Sequence, residues 1–90
     1  MQQFSYQWLV YIVECSDASY YCGLTTDLAA RLTQHNSGRG SLYTSARAPV
    51  KLVWAREFDN EMEARAFERR VKNWGRLKKG KLIRGEVYTN

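Results

Sequence analysis

Leu9-Val10-Tyr11-Ile12-Val13 is an apolar run rich in β-branched and aromatic residues, Ser16-Asp17-Ala18-Ser19 carries turn chemistry, and Tyr20-Tyr21-Cys22-Gly23 resumes an extended pattern. The pattern predicts a hairpin. Side chains alternate between the faces of a strand, so Tyr11 falls with Leu9 and Val13, and Tyr21 falls with Gly23 on the neighbouring strand. The two phenols are therefore expected to face each other across the pair. Thr25-Thr26-Asp27 supplies N-cap and first-turn chemistry for Leu28-Ala29-Ala30-Arg31-Leu32, and Asn36-Ser37-Gly38 stops that helix. Leu28 and Leu32 are expected to form its buried side, with Arg31 and His35 one turn apart on another face.

Residues 37–49 hold Gly38, Gly40 and the only proline, and read as a loop. Val50 to Phe58 reads as a third strand, with Val50, Leu52 and Trp54 on one packed side. Asn60 and Glu63 have capping-box spacing, and Ala64, Phe67, Val71 and Trp74 follow at helical intervals. A second helix is thus predicted from about Glu61 to Trp74, with Glu68 at the edge of its apolar stripe. The basic stretch after Gly75, with Leu77, Leu82 and Ile83, reads as a short third helix or tail.

Ninety residues that are 44% hydrophobic can bury one modest core, so a single domain over residues 1–90 is expected, its core running from Trp8 to Trp74. The longest apolar run, Trp8 to Val13, is too short to cross a bilayer. Met1-Gln2-Gln3-Phe4 lacks the charged and long apolar regions of a secretory signal, so a cytoplasmic protein is expected. Cys15 and Cys22 with one histidine cannot assemble a structural zinc site, and reduced thiols are the default.

Charge changes the picture more than composition. The formal charge is +5, and all the cations lie from Arg31 onward: five between Arg31 and Arg56 with no acid, nine between Arg65 and Arg84 against Glu68 alone. The acids Glu57, Asp59, Glu61 and Glu63 are bunched between the two stretches. A lone carboxylate among so many cations asks for a reason, and phosphate binding supplies one.

Tyr11, Tyr21, Arg31, His35 and Glu68 lie at phases where the hairpin and two helices can gather them. Singly, each has an ordinary reading: a strand tyrosine packs a core, a histidine near a helix end complements the dipole, and Arg31 or Glu68 forms a surface pair with Asp27, Arg65 or Lys72. Together they suit phosphodiester hydrolysis, in which a water loses a proton and charge grows on phosphate oxygens. Arg31 has planar donors for a phosphate, Tyr11 or Tyr21 is the candidate general base, and His35 assists by hydrogen bonding. Arg39, Arg47, Arg69 and Lys72 are candidate contacts to a phosphate backbone.

The order Val10-Tyr11-Ile12, Tyr21-Cys22-Gly23, Arg31, His35 one turn on, and Glu68 in a helix after a third strand resembles the GIY-YIG nuclease domain, and most closely its small stand-alone members. Asn36-Ser37-Gly38 and Tyr43-Thr44 before Pro49 extend that resemblance, which spans roughly Trp8 to Trp74. It departs at Val10, where the family has glycine, at Cys22, where it has isoleucine, and at Leu24, where repair members carry lysine. The resemblance implies an α+β fold, a small three-stranded antiparallel sheet flanked by helices. It further implies DNA endonuclease activity with one divalent ion, magnesium or manganese, held by Glu68. No added module to read bases is expected, and with it little sequence preference and a setting in DNA repair or processing. The alternative expectation is a nucleic-acid-binding module on the same scaffold, and a third is a basic protein-interaction domain without DNA affinity.

Overall fold

The computed structural model describes residues 7–87, so the reading of Met1 to Phe4 falls outside the described residues. Its elements run β1 (Trp8–Glu14), β2 (Tyr20–Thr25), α1 (Leu28–Asn36), α2 (Leu42–Ser45), β3 (Lys51–Phe58), α3 (Glu61–Lys72) and α4 (Arg76–Ile83). The sheet is antiparallel in the order β2-β1-β3, so the first strand of the chain is the central one. This is the expected α+β fold.

A central strand covered on both sides must be apolar on both. Val10, Ile12 and Val13 are fully buried and Tyr11 nearly so. Val10 and Ile12 pack with Cys22 against Ala64, Phe67 and Val71 of α3 and Leu82 of α4. Tyr11 and Val13 pack with Cys15, Val50 and the Leu28 and Leu32 side of α1. Each aliphatic side chain buried here contributes roughly 1.5–3 kcal/mol relative to exposure. Trp54 and Trp74 both pack at the edge of the first cluster, and Trp54 stacks on Phe67 with ring centroids 5.9 Å apart.

The helix ends follow local chemistry. Asp27 caps α1 by accepting the amide of Ala30 at 3.1 Å, and Asn60 caps α3 by accepting that of Glu63 at 2.8 Å. Glu61 and Glu63 sit in the first turn of α3 and Arg69, Arg70 and Lys72 in its last, matching the helix dipole at both ends. Asn36 closes α1 by bonding both backbone groups of Val50, donating to its carbonyl at 3.2 Å and accepting its amide at 2.6 Å.

Three expectations are corrected. The stretch read as a loop contains the short helix α2, because Ser41 caps it by accepting the amide of Thr44 at 3.1 Å. Leu52 and Trp54 do not share a face: Val13 pairs with Leu52 while Ile12 pairs with Trp54, so Val53 is an extra residue that turns the strand over. Leu52 is consequently exposed while Trp54 packs on the core. His35 does not stand on a face away from Leu28 and Leu32; it is the buried residue of α1 and continues their side at i+7 and i+3.

Phe67 contacts Trp54 and Phe58 beneath the sheet. Phe67→Ala is expected to cost about 3–5 kcal/mol, read as a lowered midpoint in urea denaturation, with Leu52→Ala within about 0.5 kcal/mol of the parent as the exposed control.

Candidate active site

A cleft of about 430 Å³ opens beside the edge strand β2, lined by Tyr11, Tyr21 and Gly23 of the hairpin, Arg31 of α1, and Arg65 and Glu68 of α3. Four of the five candidate residues therefore line one hollow, although they come from four elements. The fifth, His35, lies behind it: its Nε2 is 2.7 Å from the Tyr11 hydroxyl.

Register brings the phenols into place. Tyr11 pairs with Gly23 and Val13 with Tyr21, which sets Tyr11 and Tyr21 diagonally on one face. Gly23 is required by contact: a Cβ there would run into the hydroxyl end of the Tyr11 ring. The missing side chain lets the phenol lie flat across β2. Burial pushes the Tyr11 pKa well above the ordinary phenol range, helped by the nearby Tyr21, while the charge of the Arg31 guanidinium pulls against it. Tyr11 is a neutral phenol at any physiological pH.

His35 is 1% exposed and is held on both sides. Its Nδ1 lies 2.7 Å from the Thr44 hydroxyl, and its ring meets Tyr21 edge-on at 5.4 Å between centroids. Burial, and then the charge of Arg31, lowers its pKa, so the ring is neutral. Arg31 itself donates to the Gln34 side chain at 3.1 Å rather than to Asp27, and its Nε is buried without a partner. The guanidinium that fronts the cleft thus has a donor unfilled by the protein.

Glu68 is 17% exposed in its side chain and pairs with Lys72 at 3.3 Å, while Arg65 pairs with Glu61 at 2.6 Å and lies over the Trp8 ring. Lys72 also stands 5.4 Å from the centre of the Tyr21 ring, so it adjoins the cleft. The other basic candidates lie elsewhere. Arg39 and Arg69 are exposed and do not line the hollow. Arg47 is tied to Asp17 at 3.1 Å and to the Tyr43 carbonyl at 2.8 Å, with its guanidinium over the Tyr43 ring.

Residues without an assigned role in the sequence reading are Arg65, Thr44 and Ser41. Arg65 lies three residues before Glu68, a spacing that placed it on the same helix face. Ser41 and Thr44 carry the Ser-x-x-Thr spacing of a capped turn, which signals α2 but not its contact with His35.

Among the described residues no three carboxylates, imidazoles or thiols form a ready-made metal cage. The donor set at the cleft is one partly open carboxylate facing space for solvent and phosphate. That suits a hard divalent ion such as magnesium, which takes one or two carboxylates and fills its shell with water and phosphate oxygens.

Two outcomes follow from these environments. Cys15 and Cys22 are free and buried, and burial raises both thiols, Cys22 to about 12. Neither is expected to react with a disulfide reagent at about pH 8 until the chain is unfolded, which thiol titration checks. His35 has a folded pKa below its ordinary 6.5, so below that pH the unfolded chain binds a proton the folded chain refuses. Stability is therefore full at neutral pH and falls on acidification through about pH 6.5, by at most about 1.4 kcal/mol per pH unit. Urea melts between about pH 7.5 and 5.5 should show this slope, and His35→Gln should flatten it.

A family model described as the GIY-YIG catalytic domain matches residues 7–81. The UPF0213 protein YsiG of Lactococcus lactis is 52% identical over 62 residues, which are 69% of this chain and 60% of that one, so the match spans less than two thirds of that relative. A UPF0213 protein of Halobacterium salinarum is 45% identical over 74 residues, 82% of this chain and 96% of its own length. The solution NMR structure of the UPF0213 protein BH0048 from Bacillus halodurans is similar with a TM-score of 0.57 at 43% identity, over 86% of this chain and 82% of that one. That of the protein EF2693 from E. faecalis has a TM-score of 0.63 at 30% identity, covering 100% of this chain and 98% of that one. By the match over most of its length and by its kinship with these proteins, the chain belongs to the GIY-YIG catalytic domain family, a nuclease superfamily.

Proposed function

We propose that this chain is a divalent-metal-dependent DNA endonuclease with little sequence preference, acting in DNA repair or processing, and that Tyr11, Arg31, His35 and Glu68 carry its chemistry. The observation that carries the reading is the convergence of a phenol, a guanidinium and a carboxylate from three separate elements on one polar cleft, with a neutral imidazole 2.7 Å behind the phenol. A structural cluster has no need of Arg31 and Glu68 facing a common hollow.

Arg31 binds and orients the scissile phosphate from the wall of the cleft. Glu68 is the residue that holds the metal ion, which when bound supplies charge stabilisation to the phosphate and the leaving oxygen. One carboxylate holds magnesium weakly, so occupancy depends on the DNA, and Glu68 then shares its charge with Lys72. Tyr11 is the general base. A phenol raised by burial is not ionised at neutral pH, so it works only by passing its own proton to His35 Nε2 as it takes one from water. Tyr21 lines the wall and backs the imidazole edge. Lys72 extends the phosphate contacts beside the cleft, with Arg39 and Arg69 as more distant, sequence-independent contacts.

The test is cleavage of labelled single-stranded, duplex and branched DNA with magnesium or manganese, using Glu68→Ala and Tyr11→Phe prepared in parallel. Each variant is expected to lose at least about 10²-fold in rate, while binding of DNA in a chelator stays near that of the parent. Binding that collapses with cleavage would overturn the roles. An inactive parent with intact salt-sensitive binding would point to a nucleic-acid-binding module.

A further inference from the structure

We propose that Thr44 is a positioning residue for the reaction assigned above: its hydroxyl accepts the Nδ1 proton of His35 and so keeps the Nε2 lone pair turned towards Tyr11. The inference rests on Tyr11 acting as the base and names what prepares His35 to receive its proton.

A neutral imidazole has one protonated and one bare nitrogen, and both nitrogens of His35 face hydroxyls at 2.7 Å. Distances alone leave two arrangements. The choice is made at Tyr11, which is 1% exposed and whose O–H needs an acceptor. Arg31 can only donate, so among the described contacts His35 Nε2 is the acceptor the phenol has. Nε2 is therefore bare, Nδ1 carries the proton, and Thr44 receives it.

Thr44 is built to do so. It is 0% exposed, and its own hydroxyl proton has the Ser41 side chain 2.9 Å away. Ser41 caps α2 and also accepts the Thr44 amide, which fixes the threonine against the end of the helix. Gly40 completes the seat: a Cβ at that position would run into the Nδ1 side of the imidazole, so only a glycine lets this segment close on the ring. The donors then run one way, from Tyr11 to His35, Thr44 and Ser41. The opposite tautomer points an N–H at the phenol, leaves the phenol proton unpaired, and removes the acceptor that general-base action needs.

The proton count closes. A water O–H bond breaks and a Tyr11 O–H bond forms; the original Tyr11 O–H bond breaks and a His35 Nε2–H bond forms; as the water oxygen bonds to phosphorus, the bond from phosphorus to the leaving oxygen breaks and that oxygen takes its proton from solvent. The product is an imidazolium whose Nδ1–H remains bonded to Thr44, which offsets its burial beside Arg31.

His35 is the only histidine in the chain, so nitrogen NMR of the uniformly labelled protein reports one imidazole. At about pH 7.5 the parent is expected to show a protonated Nδ1 and a bare Nε2. Thr44→Val, which keeps the shape and removes the acceptor, should shift population to the Nε2–H form and lower kcat by roughly tenfold or more, part of the 10²–10⁴ that general-base catalysis supplies, with KM unchanged. Thr44→Ser should restore both. A parent with Nε2 protonated, or a folded Thr44→Val protein with unchanged tautomer and kcat, overturns the proposal. The tautomer is read without substrate. An inactive parent with the expected tautomer therefore refutes the nuclease reading and still supports the contact assigned to Thr44.

Discussion

The rest of the structure depends on the burial of one phenol. β1 is the central strand and is covered on both sides, so whatever stands at position 11 must be packed; a tyrosine there carries its hydroxyl to the inner wall of the cleft, where it needs partners from the protein. An unpaired buried hydroxyl costs about 1–3 kcal/mol, which makes its partners part of the fold. Gly23 makes room across β2, Arg31 approaches from α1, and His35 comes from one turn further along. His35 is in turn buried, and its far nitrogen brings in Thr44 and the cap of α2. One polar atom in the core thus recruits three elements and fixes where they stand.

The same arrangement limits the electrostatics. All the cations of this basic chain lie in its last two thirds, yet at the cleft they are balanced: Arg31 on one side, Glu68 with Lys72 on the other, and Arg65 held by Glu61. Arg47 and Tyr43 form a stacked support against Tyr21 rather than a free cationic edge, and Arg47 also anchors the hairpin turn through Asp17. A positive field draws a polyanion near. The few groups that face the hollow decide what is done with it.

Much of this was readable before any coordinate. The hairpin, the alternation that set Tyr11 and Tyr21 on one face, the caps at Asp27 and Asn60, and the apolar stripe of α3 all follow from local rules that the tertiary structure leaves in force. The errors lie where a local rule was overridden. The extra residue at Val53 breaks the period of β3, and nothing in an otherwise regular apolar run marks it. The four-residue spacing of Arg31 and His35 suggests a shared face away from Leu28 and Leu32, whereas the i+7 and i+3 relation of His35 to those leucines puts it on the buried side. α2 is four residues long, below the length at which periodicity speaks, and its purpose is a contact with a residue nine positions earlier, which no local pattern encodes. Arg47 shows the converse: a basic residue in a basic stretch is expected to meet phosphate, and its contacts with Asp17 and Tyr43 are ones no local pattern announces.

The claim that joins these observations is that Tyr11, Arg31 and Glu68 face one scissile phosphate. It is tested most directly by a crystal structure of Tyr11→Phe with uncleaved DNA and magnesium, since that substitution removes the phenol oxygen and leaves Arg31 and Glu68 in place. The account predicts a backbone phosphate in the cleft, bonded to the Arg31 guanidinium, with a single metal ion between that phosphate and Glu68. DNA seated elsewhere on the basic surface, with Glu68 still paired only to Lys72, would contradict it.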